Sequence, residues 1–195
     1  EPGSTMKPAI AAAGLEEGVI TETSKFYCSH IYRQFTDTTF KCLGSHGWID
    51  VKNALNQSCN IYFYETGRLL GINRMNDYCT RFGLGQKTGV EINESSGVLA
   101  GIAYREAHGG TWYPGDTVQA AIGQSDNLFT PIQLCSYVST IANGGTRYRA
   151  HFVKSVKSSD YSETLLSNDG VVLNETGVSQ NSIRIVKEGM GMLGA

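Results

Sequence analysis

Glu1-Pro2-Gly3-Ser4-Thr5-Met6-Lys7-Pro8-Ala9-Ile10-Ala11-Ala12-Ala13-Gly14-Leu15-Glu16-Glu17-Gly18 opens the chain, and the rest is best read outward from it. A serine ahead of an alanine-rich run is a good helix N-cap. Pro8 falls in the first turn, where its missing N–H costs least, and Gly18 supplies a stop. The stretch predicts a helix starting at Ser4. A spacing of three sets the Ser4 hydroxyl and the Lys7 amine side by side on one helical face. A serine hydroxyl is a poor nucleophile until a base takes its proton, and a lysine whose pKa is lowered by burial or neighbouring cations can do so. The helix N-terminus adds backbone N–H groups suited to a developing oxyanion. The plainer arrangement is an N-cap serine with an exposed lysine one turn on, and about one S-x-x-K is expected by chance in such a composition.

Residues 24–47 differ from the opening helix. Aromatic, β-branched and polar residues alternate there, with Cys28 and Cys42 bracketing Thr36-Asp37-Thr38-Thr39, so an irregular or hairpin-like excursion is expected. Helical signals return with Asp50 as a cap and with Val51, Ala54 and Leu55 on one face. They continue over Asn60–Leu70, closed by Gly71, and from about Arg74 to Arg81, stopping at Gly83. Residues 84–101 are rich in turns, and a short helix is expected near Tyr104–His108. Thr130-Pro131 starts a strong helix that should bury Ile132, Leu134, Tyr137, Val138 and Ile141 and end at Asn143-Gly144-Gly145. Arg149–Val156 reads as a strand and Asn181–Leu193 as a last helix. The balance is six or seven helices against one or two clear strands, a mainly α chain.

With 195 residues, 41% hydrophobic and 17% charged, the chain is long enough for one core, or one core plus a small lobe. A net charge of −2 leaves no footprint for nucleic acid or an anionic membrane surface. The first residues lack the pattern of a signal peptide and no apolar run reaches bilayer length, so neither leader nor membrane anchor is expected within this chain. Paired glycines at Gly109-Gly110 and Gly144-Gly145 mark turns. No repeat or linker interrupts what reads as one domain or part of one.

The opening segment through Ala11–Ile20 resembles the active-serine helix of class B penicillin-binding proteins. These proteins use an S-x-x-K, an S-x-N and a K-[ST]-G in that order along the chain. Ala54-Leu55-Asn56-Gln57-Ser58-Cys59-Asn60-Ile61-Tyr62-Phe63 resembles the family's S-x-N between two helices. Further likeness lies at Phe82–Gly89, Ala121-Ile122-Gly123-Gln124, Thr130–Leu134 and Ile141–Thr146, in the family's order and over nearly the whole chain. Lys87-Thr88-Gly89 and Ser125-Asp126-Asn127 match the catalytic motifs in letters but stand in reversed order and in the wrong surroundings, and Ser179-Gln180-Asn181 reads as a helix cap. The resemblance implies an α+β parent fold of the β-lactamase/transpeptidase type. This chain (residues 1–195) would supply the helical lobe, with most of the central sheet and the true K-[ST]-G lying outside it.

The resemblance further implies a peptidoglycan D,D-transpeptidase on the extracytoplasmic face of a bacterial membrane. Ser4 would attack the D-Ala-D-Ala carbonyl of a stem peptide, with Lys7 as proton acceptor. Ser58 would relay a proton toward the leaving D-alanine, and Asn60 would hydrogen-bond the acyl side chain. β-Lactams would be captured as acyl-serines, other cell-wall synthesis proteins would be partners, and no cofactor is needed. The isolated chain is expected to react with penicillin slowly or not at all. The alternatives are a β-lactam sensor or serine β-lactamase and, in another class, a non-catalytic scaffold or partner-binding lobe. Glu91 and Glu94 lack the surroundings of a deacylating carboxylate, which counts against a lactamase. Cys28, Cys42 and His46 are spaced for either a disulfide or a zinc site, with Cys59 or His30 as a possible fourth ligand, or they are unpaired thiols beside a turn histidine. Cys79 and Cys135 are expected in the core, and Trp48, Trp112 and Tyr62-Phe63-Tyr64 in packing.

Overall fold

The computed structural model describes residues 1–193. The opening segment is a 3₁₀ turn over Gly3–Met6 that runs into α1 (Lys7–Glu16). Ser4 is therefore not the cap expected of it: Pro2 precedes the turn and no side chain caps it. Every residue of α1 from Lys7 to Gly14 is buried, as befits a helix that is small and apolar on all sides. It is the central rod of the lobe, with α2 (Val51–Asn56), α3 (Asn60–Leu70), α4 (Ile72–Arg81) and α8 (Gln180–Met192) packed around it.

Local signals set most boundaries. The Asp50 carboxylate accepts from the Asn53 N–H at 3.0 Å and starts α2. Gly71, at φ +74°, ends α3 where predicted and turns directly into α4. Thr130 and Gln133 form a reciprocal capping box at the head of α7 (Pro131–Ala142), and Ser179 caps α8. Between α4 and α7 lie α5 (Ile102–Ala107) and α6 (Pro114–Ala121). The latter was not predicted. Helices α3 and α6 approach closely at Gly67, where a Cβ would overlap that of Ala121.

Strands are more numerous and shorter than expected. All are antiparallel two-stranded ladders: β1 (Phe26–Cys28) with β4 (Gly47–Ile49), β2 (Ile31–Tyr32) with β3 (Phe40–Lys41), β5 (Thr146–Tyr148) with β8 (Val172–Glu175), and β6 (Ser155–Lys157) with β7 (Thr164–Ser167). The single strand read at Arg149–Val156 is replaced by β5 and β6, with a bend between them. Among the described residues no sheet exceeds two strands, so the chain is mainly α. The buried face of α7 is Gln133, Tyr137, Thr140 and Ile141. Ile132 and Leu134 are half-buried and Val138 is exposed, because α7 packs at one edge rather than in the middle. Cys135 is likewise exposed, whereas Cys79 is core. Tyr62, Phe63 and Tyr64 are core residues as expected, but Trp48 stands 69% exposed.

Candidate active site

Helix α1 and the junction of α2 with α3 bring the four predicted residues together across more than fifty positions of sequence. Ser58 occupies that junction at φ +51°, a left-handed conformation that costs a non-glycine residue on the order of 1–3 kcal/mol. The turn aims the Ser58 hydroxyl back at α1. Its Oγ lies 3.0 Å from Ser4 Oγ and 2.9 Å from Lys7 Nζ. Lys7 Nζ also donates to the Ser58 carbonyl at 2.8 Å and to Asn60 Oδ1 at 2.7 Å. An ammonium has three donors, and all three are used.

Lys7 and Ser4 share a face, as the spacing requires, but the geometry adds an intermediary. The hydrogen-bonded chain runs Lys7 Nζ, Ser58 Oγ, Ser4 Oγ, with Ser58 in the middle. Lys7 is buried, 1% exposed, rather than an exposed lysine one turn from a cap. Burial lowers its pKa to about 8, although nearby Cys42 and Cys59 favour the charged form. At that value about a tenth of Lys7 is neutral at pH 7, enough to act as a base. Ser4, in contrast, is exposed to the adjoining cavity.

Supports outside the motifs hold the Ser4 turn. The Gly3 N–H donates to the Gly123 carbonyl at 3.0 Å, and Gly123, at φ +72°, lies so close that any side chain there would strike the Gly3 backbone. The fully buried Tyr137 of α7 places its Oη 2.9 Å from the Ala9 N–H, satisfying a donor that the first turn of α1 leaves without a helical partner. Neither Gly123 nor Tyr137 was assigned this duty from sequence. The Ala121-Ile122-Gly123-Gln124 resemblance was the available signal. A 290 Å³ cavity opens beside Ser4, Lys7 and Ser58, with an apolar wall of Leu55, Val138, Met190 and Leu193.

The look-alike motifs sit elsewhere in the hydrogen-bond network. Glu94 accepts from the N–H groups of Thr88 and Gly89 and from Thr88 Oγ1, making Lys87-Thr88-Gly89 a carboxylate-tied turn. Ser125 Oγ accepts from Arg105, which also pairs with Asp126 and Asp116. Glu91 accepts from the Phe152 and Val153 N–H groups, so both candidate carboxylates are held by backbone far along the chain from Ser4. His108 and His151 are exposed.

The β1–β4 excursion gathers Cys28, Cys42, His46 and Cys59, whose ligand atoms all lie within 4.8 Å of one another. His46 Nδ1 is 3.4 Å from Cys28 Sγ and 3.6 Å from Cys42 Sγ, and Cys42 Sγ is 4.0 Å from Cys59 Sγ. Zinc bound tetrahedrally at about 2.3 Å from sulfur would set neighbouring ligand atoms about 3.8 Å apart, so the donor set and its spacing fit that ion. No disulfide joins Cys28 to Cys42, and all five cysteines are free. Cys59 is the fourth member of the group, and His30 is not part of it. Cys59 sulfur pushes the Cys42 thiol pKa down, and its own thiol is pushed up in turn. Cys42 is tied to the site: the Asn60 N–H donates to Cys42 Sγ at 3.2 Å, and Asn60 Nδ2 donates to the Lys41 carbonyl at 3.2 Å.

Comparison with known proteins identifies the family. The family model for the penicillin binding protein transpeptidase domain matches residues 1–192. Peptidoglycan D,D-transpeptidase MrdA of Salmonella typhimurium is 32% identical over 165 residues, 80% of this chain and 26% of that protein. MrdA of Acinetobacter baumannii is 29% identical over 195 residues, 94% of this chain and 28% of that one. Among solved structures, PBP2 of Pseudomonas aeruginosa in complex with WCK 5153 gives a TM-score of 0.85 at 31% identity, covering 97% of this chain and 43% of that one. The chain thus spans about a quarter of the length of the curated relatives it matches. The fold is of the transpeptidase type, and the chain belongs to the penicillin-binding protein transpeptidase domain family.

Proposed function

We propose that this chain is the helical part of a peptidoglycan D,D-transpeptidase domain, and that Ser4 is its acylated nucleophile. The observation that carries the reading is the continuous Lys7–Ser58–Ser4 hydrogen-bonded chain. Neutral Lys7 takes a proton from Ser58 Oγ as Ser58 takes the proton of Ser4. Ser4 Oγ then bonds to the carbonyl carbon of the D-Ala-D-Ala peptide. The same path returns the proton to the departing D-alanine amine as the C–N bond breaks, leaving an acyl-serine that an amine of a second stem peptide resolves. The Ser4 N–H, in the 3₁₀ turn, supplies one oxyanion donor. A further donor comes from a strand of the longer protein outside this chain. Asn60 Nδ2 gives one hydrogen to the Lys41 carbonyl and has a second to donate to the acyl chain, so its Oδ1 keeps Lys7 in place. A β-lactam carbonyl follows the same first step, with the ring C–N bond as the one that breaks. Work on the extracytoplasmic face of the membrane, beside other cell-wall synthesis proteins, follows from this substrate.

We also assign zinc to Cys28, Cys42, His46 and Cys59. When bound, the ion supplies structure, holding the excursion against Asn60.

The test is fluorescent-penicillin labelling of the full-length protein, with the labelled peptide identified by mass spectrometry. Label on the Ser4 peptide, lost in Ser4→Ala, is expected. Label retained in that variant, or mapped to Ser125 or Ser179, would overturn the assignment.

A further inference from the structure

Trp48 and Tyr27 face each other across the β1–β4 ladder with ring centroids 5.4 Å apart and planes tilted by 58°. They are 69% and 58% exposed, so a large aromatic surface is left in water rather than packed. Other aromatic rings on this surface are as exposed, Tyr113, Phe152 and Tyr161 among them, so what distinguishes this pair is what lies beside it. Beside the pair lies a concave groove of about 370 Å³, floored by Phe26 and Ile61. Its volume falls within the range that small organic ligands occupy.

The rim is polar and uncommitted. Among the described residues, the side chains of Lys25, Arg33 and Gln34 make no hydrogen bond or ion pair within the protein, and neither do Tyr27 Oη and Trp48 Nε1. Glu65, the one acidic group there, is already engaged by Tyr32 Oη at 2.5 Å and by Arg68 at 2.6 Å. Aromatic faces beside many unpaired donors suit a ligand whose own faces are C–H and whose edges are hydroxyl and amide. A rim this rich in cations differs from the charge-depleted centre of a protein–protein contact.

Ile61 and Glu65 belong to α3, whose first residue is Asn60, so the groove starts within about one and a half helical turns of it. We propose that this groove is a saccharide subsite that binds N-acetylated sugar rings of the glycan strand carrying the stem peptide. One pyranose lies on Trp48 and Tyr27, and Lys25, Arg33 and Gln34 reach its hydroxyl and acetamido groups. This deepens the transpeptidase reading and rests on it for the identity of the polymer. Binding itself needs no acylation.

Titrating the full chain with chitotetraose, read by tryptophan emission and by calorimetry, tests the subsite. Saturable binding is expected, with affinity falling at least about tenfold in Trp48→Ala and unchanged in Trp112→Phe. Because Trp48 is exposed, Trp48→Ala should keep the wild-type melting curve. Absence of saturation at millimolar saccharide, or equal affinity in Trp48→Ala, would overturn the proposal. A patch made for a protein partner would give the first of these results. Penicillin labelling that succeeds while chitotetraose fails removes the subsite alone, and the reverse removes the acyl-serine reading alone.

Discussion

Lys7→Met separates the cost of burying a charge from the benefit of its hydrogen bonds. Methionine fills a similar volume without charge. The substitution leaves the Ser58 carbonyl and Asn60 Oδ1 without their donor, at about 1–3 kcal/mol per group. It also relieves the burial that lowers the Lys7 pKa from 10.5 to about 8. At about 1.4 kcal/mol per pH unit, that drop corresponds to about 3 kcal/mol. The two effects are of similar size at neutral pH, so the net change in stability there is small. The pH dependence isolates the second. Below pH 8 Lys7 is protonated in both folded and unfolded chains. Between pH 8 and 10.5 the folded chain has released a proton that the unfolded chain still binds, so raising the pH favours folding. The benefit is complete above 10.5 and is lost as the pH falls through 8. Urea unfolding of both proteins at the same metal content should show wild type gaining about 3 kcal/mol over Lys7→Met across that window. That is a midpoint difference of about 1–2 M at a typical urea slope. Taking the difference cancels the tyrosines, including Tyr62 and Tyr64, whose raised pKa values act in the opposite direction. A flat difference, or one that shrinks with rising pH, would mean that the negative charge on the Cys42–Cys59 sulfur pair outweighs desolvation and Lys7 is held charged. It could not then serve as the base.

Ser58→Ala in the full-length protein breaks the proton path while leaving Ser4 in place. Penicillin acylation should slow by about 10²–10⁴-fold, and wild-type rates would exclude the relay. Elemental analysis of purified chain should find one zinc, and a chelator should lower the melting temperature; metal-free protein with an unchanged melt would remove the assignment. Gly67→Ala forces a methyl against Ala121 and should cost about 1–3 kcal/mol in urea unfolding, with no loss expected if α3 and α6 can part freely.

How much of this was legible depended on whether the deciding contact is local. The start of α2 and the end of α3 came out as read because the Asp50 cap and Gly71 act within a few residues. Helix α6 was missed because Pro114-Gly115 reads as a turn. Its start signal, the Tyr113 N–H donating to Asp116 at 2.8 Å, is visible only once Pro114 is placed at the first helical position. Strands of two to four residues are too short for alternation to appear, and β5 finds its partner β8 across about twenty-five residues. The candidate site residues could be named through motif order. The burial of Lys7 was not legible, since nothing in an alanine-rich pattern says that Ser58 and Asn60 will meet its charge. Ser58 as intermediary was equally hidden, because it depends on a left-handed serine at a helix junction. Trp48, expected in packing, stands largely in solvent, because exposed and buried tryptophans look alike in a strand three residues long.

The position of Asn60 does not depend on α3 alone. Its N–H, which the first turn of a helix leaves without a partner, goes to Cys42 Sγ, and its Nδ2 goes to the Lys41 carbonyl. Both acceptors belong to β3 or the residue after it, in an excursion whose ladders are too short to be stable alone. What fills the interior of that excursion against α3 includes the sulfur group of Cys28, Cys42 and Cys59 with His46. A shift of β3 by about an ångström would lengthen both hydrogen bonds past useful range. Asn60 Oδ1 would then turn, and Lys7 would lose one of its three acceptors. Disturbing the thiols should therefore slow acylation through Lys7 even though no sulfur contacts Ser4. In that respect the excursion acts as a support for the second motif.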